Sequence, residues 1–149
     1  METMYVTHSP AQTEALARAL ASRLRPGDVI AFRGGLGAGK TAFTRGLAEG
    51  LNVTGEVSSP TFALVNEYAG PVPLYHFDMY RIADANDLYM TGFFDYLDGE
   101  SILAIEWSEN IADALPEDAI TITLEVLDEH SRRITIEAKE DGRFADLRP

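Results

Sequence analysis

The sequence contains no cysteine, so it can form no disulfide framework, no thiolate zinc site and no cysteine nucleophile. It also lacks any apolar run near the roughly 18 residues that a membrane-spanning helix needs. The first residues, Met1 to Tyr5, do not combine a basic segment with an apolar one, which argues against a signal peptide. We therefore expect a cytoplasmic protein that does not associate with membranes.

Positive charge is scarce as well. Twelve Lys and Arg residues stand against 24 Asp and Glu residues, for a net charge of −12. Because contacts to a nucleic-acid backbone need a basic surface, this balance argues against direct binding to DNA. An anionic ligand could bind only where loop amides, a lysine and a metal ion concentrate positive field locally.

What the chain does contain is a phosphate-binding pattern. Residues 34–41, Gly-Gly-Leu-Gly-Ala-Gly-Lys-Thr, match the P-loop motif. The context that this motif requires is also predicted, because the apolar run Asp28–Phe32 precedes it as a strand. After the motif, Phe43, Leu47 and Leu51 recur at helical spacing. Strand, glycine loop and helix together favour a true P-loop over a chance glycine-rich turn.

Each part of this loop has an expected ligand. Glycines let successive N–H groups turn toward a phosphate. Lys40 is expected to reach the β- and γ-phosphates, and the Thr41 hydroxyl is expected to hold Mg²⁺. Lys40 and Lys139 are the only two lysines, beside ten arginines. The predicted nucleotide-binding positions are Gly35, Leu36, Gly37, Ala38, Gly39, Lys40 and Thr41.

Hydrolysis of a nucleotide also needs an acidic residue at the end of a neighbouring strand. Asp78 ends the apolar run that begins at Leu74, and Glu106 follows the run Ile102–Ile105. Spacing does not decide which acid meets the metal, or whether it does so through water. Thr61, after the P-loop helix, is a candidate sensor of the γ-phosphate; a strand-initiating threonine is the alternative. The candidate catalytic residues are therefore Lys40, Asp78, Glu106 and Thr61.

The missing motifs favour ATP as the nucleotide. No Asp-x-x-Gly follows the second strand, and residues 138–141, Ala-Lys-Glu-Asp, lack the asparagine of a guanine-binding motif. No arginine-rich lid of a small-molecule kinase is visible. His76 lies within an apolar run and Trp107 is the one tryptophan, so we predict core packing for both.

The remaining segments predict the fold class. A helix is expected from Ser9-Pro10, a strand over Phe62–Tyr68, a helix over Ala83–Tyr96 with a weak point at Gly92, and a short helix over Asn110–Leu115. Alternating apolar residues from Ile120 to Glu137 predict an antiparallel hairpin. We expect one domain, residues 1–149, with an α/β architecture: a P-loop NTPase-like mixed sheet flanked by helices, with a C-terminal antiparallel hairpin.

Five blocks of sequence resemble the TsaE (YjeE) family, the P-loop ATPases of bacterial tRNA threonylcarbamoyladenosine synthesis. In order they are residues 34–41, 59–62 (Ser-Pro-Thr-Phe), 66–68 (Asn-Glu-Tyr), 76–81 (His-Phe-Asp-Met-Tyr-Arg) and 105–109 (Ile-Glu-Trp-Ser-Glu). Order and spacing agree over about residues 9 to 110. One departure stands at Gly35, where the family usually has Asp or Glu.

This resemblance implies a cytoplasmic protein that binds ATP and Mg²⁺ and hydrolyses ATP slowly. It would dock on a TsaD–TsaB complex and so act on tRNA indirectly. By the same resemblance, Thr41 and Glu106 are the metal ligands, Asp78 is the Walker B-type acid and Thr61 belongs to a switch region. Thr13, in the first predicted helix, matches a family threonine that lies near the nucleotide.

Two other functions remain open from sequence. A nucleotide-gated binding module would use ATP occupancy to order the Thr61 loop, with incidental turnover. A small-molecule kinase would transfer phosphate to an added acceptor.

Overall fold

A computed structural model describes residues 1–35, 37–55 and 65–149 of the chain. The strands are β1 (Glu2–Thr7), β2 (Val29–Arg33), β3 (Val65–Tyr68), β4 (Leu74–Asp78), β5 (Ile102–Glu106), β6 (Ile120–Val126) and β7 (Arg132–Glu137). The α-helices are α1 (Pro10–Ala21), α2 (Lys40–Gly50) and α3 (Ala85–Met90), and 3₁₀ segments span Phe93–Tyr96 and Ser108–Ala114.

The strands form one seven-stranded sheet in the order β1-β7-β6-β2-β5-β4-β3. At its centre β2 runs parallel to β5 on one side and to β6 on the other, and β4 runs parallel to β5. The outer pairs β1–β7, β6–β7 and β3–β4 are antiparallel. The predicted mixed α/β sheet with a C-terminal hairpin is therefore confirmed, and the segment after β2 leaves from the centre of the sheet.

Helices α1 and α2 cover one face of the sheet. Helix α1 begins where the Ser9 hydroxyl accepts a hydrogen bond from the Gln12 amide, with Pro10 at the first helical position. Buried apolar side chains such as Leu20, Phe43 and Leu47 fill the space above the strands. The two helices approach closely because α2 presents Gly46 to α1, where an added Cβ would lie 2.2 Å from the Glu14 carbonyl oxygen.

The opposite face has its own apolar core, to which β4 and β5 contribute Phe77, Leu103 and Ile105. Helix α3 adds Leu88, and the 3₁₀ segment after it adds Phe93, whose ring meets Phe77 edge-on at 5.3 Å. Side chains alternate along a strand. His76 and Asp78 flank Phe77 in β4 and therefore point to the opposite side, toward α2.

The N-terminal strand was not predicted. In β1 the half-buried side chains are Thr3 and Tyr5, whereas Met4 and Val6 are exposed. The apolar residues thus lie on the solvent side of this edge strand, so the alternation that marks a half-buried strand is inverted.

Two predicted helices differ in the structure, and one predicted strand is described only in part. The helix expected over Ala83–Tyr96 is interrupted at Gly92, whose φ of 77° is left-handed, and it divides into α3 and a 3₁₀ segment. The expected helix over Asn110–Leu115 is the 3₁₀ segment Ser108–Ala114. Of the strand expected over Phe62–Tyr68, the part from Val65 is present, and residues 62–64 lie outside the described ranges.

In the ranges that the structure describes, no helix is both long and apolar enough to cross a bilayer.

Candidate functional site

The described part of the loop between β2 and α2 contains three glycines with a positive φ. Gly34, Gly37 and Gly39 have φ values of 144°, 78° and 102°, which only glycine adopts readily. Gly34 also passes close to β6, because an added Cβ would lie 2.6 Å from the Leu124 carbonyl oxygen. Helix α2 starts at Lys40, so its free N–H groups and the positive end of its dipole face the loop. Leu36 lies outside the described residues.

Lys40 folds back over this loop. Its Nζ donates a hydrogen bond of 2.9 Å to the Gly34 carbonyl oxygen and lies 3.8 Å from Glu106 Oε1. The side chain is about one-tenth exposed, and Nζ sits 5.6 Å from the centroid of the Trp107 ring. A nearly buried ammonium group, held by a carbonyl and a carboxylate oxygen, is thus presented at the mouth of the glycine loop.

The two candidate acids end adjacent strands. Asp78 ends β4 and Glu106 ends β5, and the two residues are direct partners in the parallel register. Because β5 also borders β2, both carboxylates reach the edge of the sheet where the loop begins. Asp78 Oδ1 accepts a hydrogen bond of 2.9 Å from the Tyr80 amide, whereas Glu106 is buried.

His76 is buried, as predicted, but it does not serve packing alone. Its Nε2 lies 2.6 Å from Glu106 Oε2, and its side chain has no solvent exposure. Within the described part of the chain, Nδ1 has no hydrogen-bond partner. Strand order explains this contact, because β4 and β5 are neighbours and both side chains face α2.

Trp107 has two environments. It is half-buried, and it packs against the core on the α3 side of the sheet, as predicted. It also lines the cavity above the loop, and its ring meets the exposed Tyr80 ring edge-on at 5.0 Å. The residue has a left-handed φ of 58°, which turns the chain sharply at the end of β5.

A cavity of about 510 Å³ lies over the loop. Its floor is formed by residues 37–42, and Asp78, Glu106 and Trp107 line one side. The other side is formed by the start of α1 together with the β6–β7 turn, which contributes Glu129, His130 and Arg132. The cavity therefore has an acidic end beside Lys40 and a mixed, partly basic end at the hairpin.

The hairpin's contribution was missed from the sequence. Arg132 donates from Nη2 to the Gly37 carbonyl oxygen at 3.1 Å, and from Nη1 to the carbonyl oxygens of Asp128 and Ser131 at 2.9 Å. Asp128 Oδ1 in turn accepts from the amides of His130 and Ser131, and these bonds hold the pKa of Asp128 below its usual range. No local pattern marks Arg132, because its partner Gly37 is 95 positions away.

For two other predicted residues, Thr13 and Thr61, the predicted role stays untested. Thr13 borders the cavity, but it is buried and its hydroxyl lies 2.7 Å from the Thr7 hydroxyl. Its role as a nucleotide contact stays a prediction. Thr61 lies outside the described residues.

The oxygen ligands at the acidic end suit magnesium. Mg²⁺ prefers hard oxygen donors, and it is usually held by one or two carboxylates together with phosphate oxygens and water. Thr41, Asp78 and Glu106 all line the cavity and offer one hydroxyl and two carboxylates. Across residues 1–35, 37–55 and 65–149, no group of three or more His, Cys, Asp and Glu side chains could hold a metal alone. These residues therefore fit Mg²⁺ that arrives with a phosphate ligand.

Comparison with known proteins places the chain in a family. The model of the family described as threonylcarbamoyl adenosine biosynthesis protein TsaE matches residues 7–134. The tRNA threonylcarbamoyladenosine biosynthesis protein TsaE of Bacillus subtilis is 42% identical over 134 residues, which span 89% of this chain and 83% of that protein. The TsaE protein of Treponema pallidum is 40% identical over 131 residues, or 88% of this chain and 97% of that one.

A solved structure agrees with this result. The crystal structure of Bacillus subtilis YdiB superposes with a TM-score of 0.80 at 36% identity, and it covers 94% of this chain and 87% of that chain. The predicted family is confirmed by the sequence matches and the fold by the superposition. The chain belongs to the TsaE family of threonylcarbamoyl adenosine biosynthesis proteins.

Proposed function

We propose that the protein binds ATP with Mg²⁺ and hydrolyses it slowly, in support of threonylcarbamoyl modification of adenosine in tRNA. The observation that carries this proposal is the placement of Lys40. Its ammonium group lies between the Gly34 carbonyl oxygen and Glu106 Oε1, over a loop whose glycines turn toward the start of α2. A buried cation above free helix N–H groups is suited to polyphosphate.

The cavity indicates an orientation for the nucleotide. The phosphates would follow residues 37–41, with the terminal phosphate toward Asp78 and Glu106. The nucleoside would then extend toward His130 and Arg132 of the β6–β7 turn. This direction would place the most negative part of the ligand nearest to Lys40 and leave the nucleoside beside the mixed, partly basic wall at the hairpin.

Each side chain then has a role. Lys40 would exchange the Gly34 carbonyl for phosphate oxygens and neutralise charge that develops on the terminal phosphate. Thr41 and Glu106 would hold Mg²⁺, with Asp78 as the second acid beside them. Bound there, Mg²⁺ would supply positive charge that offsets the negative charge of the phosphate oxygens. Thr61 is the expected partner of the γ-phosphate.

A partner complex is part of the proposal. By family membership we propose that the protein acts in the cytoplasm and docks on a TsaD–TsaB complex, so that its effect on tRNA is indirect. The net charge of −12 supports an indirect role, because it disfavours contact with a nucleic-acid backbone.

The two lysines provide a matched test. Lys40→Ala should weaken binding of MgATP by about tenfold to 100-fold, since a charge-assisted contact is lost. Lys139→Ala should leave binding unchanged, because Lys139 is exposed and pairs with Glu117 outside the cavity. Calorimetry with MgATP and a phosphate-release assay measure both effects. Equal affinities for both variants, or no binding by the unmodified protein, would contradict the proposal.

A second candidate is a nucleotide-gated binding module with incidental turnover. The specific observation in its favour is the contact between Trp107, which borders the cavity, and Tyr80, which is exposed. This ring pair connects the nucleotide end of the sheet with the protein surface. Glu106→Ala separates the two candidates: if docking on TsaD–TsaB and tRNA modification survive without turnover, the binding module is correct.

A further inference from the structure

We infer that His76 is a positioning residue that fixes the Glu106 carboxylate, so that one oxygen is held by the protein and the other is presented to the cation and phosphate site. This inference rests on the proposed function, because it assigns a role to His76 within the same site. It concerns a residue that the sequence alone favoured as ordinary core.

Among the described residues, His76 and Lys40 contact different oxygens of the Glu106 carboxylate. Oε2 of Glu106 is bonded to His76 Nε2 at 2.6 Å, and Oε1 lies 3.8 Å from Lys40 Nζ. A distance of 2.6 Å is short for a nitrogen–oxygen hydrogen bond, as is typical when the acceptor is ionised. The carboxylate is therefore restrained in rotation, and Oε1 is the oxygen on the side of the loop.

The contacts of the imidazole also assign its tautomer. An ionised carboxylate can only accept, so the bond requires the hydrogen on Nε2. Nδ1 is then the bare acceptor, which fits its lack of a partner among the residues described, since an unpaired buried acceptor costs less than an unpaired buried N–H.

This arrangement is costly for a residue that only fills space. His76 has no solvent exposure and leaves one ring nitrogen without a described partner, a penalty that a leucine at the same place would not have. The polar contact that compensates is the bond to Glu106. We therefore infer that the histidine at this position supports the Glu106 carboxylate.

Outer partners of this kind control how a carboxylate meets a metal. Removal of such a partner commonly weakens metal affinity by about tenfold to 100-fold. Without His76, the Glu106 carboxylate could rotate toward Lys40 and shorten the present 3.8 Å ion pair into a hydrogen-bonded pair. That pair would compete with Mg²⁺ for the carboxylate, whereas the loop amides that bind phosphate would be untouched.

The experiment compares His76→Leu and His76→Gln, each alone and combined with Glu106→Ala. The Mg²⁺ concentration that half-saturates ATP binding is measured by calorimetry, and ATP binding in the presence of EDTA is measured separately. His76→Leu should raise the half-saturating Mg²⁺ concentration about tenfold and change Mg²⁺-free binding by less than about twofold. His76→Gln, whose amide can donate to Oε2, should recover most of the loss.

The double variants decide between positioning and general structure. In the Glu106→Ala background, His76→Leu should cause no further change, because the carboxylate that it positions is gone. If His76→Leu raised the half-saturating Mg²⁺ concentration equally with and without Glu106→Ala, the inference would be overturned. A wild-type Mg²⁺ dependence in His76→Leu would also overturn it.

A measurement on the unmodified protein keeps the inference testable if His76→Leu fails to fold. Nitrogen-15 NMR of the imidazole should show the hydrogen on Nε2, with a resonance that shifts when MgATP is added. A hydrogen on Nδ1 would overturn the inference while leaving nucleotide binding intact. Absence of MgATP binding by the unmodified protein would instead overturn the proposed function together with this inference.

Discussion

Ser108 donates its hydroxyl hydrogen to the Phe32 carbonyl oxygen across 2.9 Å, and this bond ties the segment after β5 to the strand that leads into the glycine loop. Both groups are buried. Trp107, directly before Ser108, is thereby held at a fixed distance from the start of the loop.

Loss of this bond should lower the stability of the protein. Ser108→Ala leaves a buried carbonyl oxygen without this donor and should lower the free energy of unfolding by about 1–3 kcal/mol. Ser22→Ala is the matched control, since its hydroxyl donates to the Ala19 carbonyl at an exposed helix end. Urea unfolding measures both. An equal and small effect in the two variants would show that the Ser108 bond contributes little.

The Thr13 hydroxyl is engaged with Thr7, so Thr13→Val should lower stability, and the same variant tests whether the hydroxyl also contacts the nucleotide. The expected loss is about 1–2 kcal/mol in the free energy of unfolding, because the buried Thr7 hydroxyl loses the Thr13 hydroxyl as its partner. A change in MgATP affinity of less than about twofold would leave the hydroxyl with the Thr7 contact alone. Calorimetry and urea unfolding on the same variant measure the two effects, and Thr13→Ser serves as the variant that keeps the hydroxyl. A tenfold loss of affinity in Thr13→Val would instead establish the hydroxyl as a nucleotide contact.

Close approach of the two helices should make Gly46 intolerant of a side chain. An added methyl group would lie 2.2 Å from the Glu14 carbonyl oxygen and 2.7 Å from Ala17 Cβ. Gly46→Ala should therefore destabilise the protein by about 1–3 kcal/mol, although alanine favours helix by roughly 1 kcal/mol.

Gly35→Ala provides the control for this prediction. An added Cβ at Gly35 meets nothing within 4 Å, and its φ is not left-handed. Its effect should stay within about 0.5 kcal/mol when thermal unfolding is measured without nucleotide. Similar losses in both variants would contradict the helix contact as the cause. The same open space means that Gly35→Asp, which restores the usual family residue, should fold normally.

Acid should loosen the β6–β7 turn. The pKa of Asp128 is lowered by the backbone amides of His130 and Ser131, so the unfolded chain holds this proton more tightly than the folded one. Its stabilising contribution is therefore present above the unfolded value near 3.9 and disappears as the pH falls through the lower folded value. Amide resonances of His130 and Ser131, followed by NMR from pH 6 downward, should shift in that range.

Asp98 provides a matched control for the role of Asp128 in the β6–β7 turn. Asp98 accepts from the amides of Glu100 and Ser101 in the same manner, and its pKa is also lowered, but it does not line the cavity. Asp128→Ala should weaken MgATP binding at pH 7 severalfold, because its turn carries Arg132 against Gly37, and Asp98→Ala should not. Equal affinities would show that the hairpin is not a wall of the nucleotide site.

Sequence patterns were sufficient where the determining contacts are local. The P-loop, its flanking strand and helix, and the buried runs before Asp78 and Glu106 all follow from residues within a few positions of each other. The C-terminal hairpin follows from alternation on both sides of a polar turn. Those features are sufficient to predict the fold class.

Contacts between distant elements could not be predicted in this way. The bond between His76 and Glu106 depends on β4 lying next to β5, and the bond between Arg132 and Gly37 depends on β6 lying next to β2. Strand β1 was missed because its apolar residues lie on the solvent side and because its partner, β7, is far away in the sequence. In each case the information lies in the order of strands within the sheet.

The first strand of the chain is held in the sheet by the last. Because β1 pairs with β7, and residue 9 and residue 132 both line the cavity, the walls of the cavity come from segments that are far apart in the sequence. During synthesis, the loop and its lysine emerge long before the hairpin that closes the cavity. A ribosome-bound chain that ends before β7 therefore has strand β1 without its partner and a cavity with one wall missing.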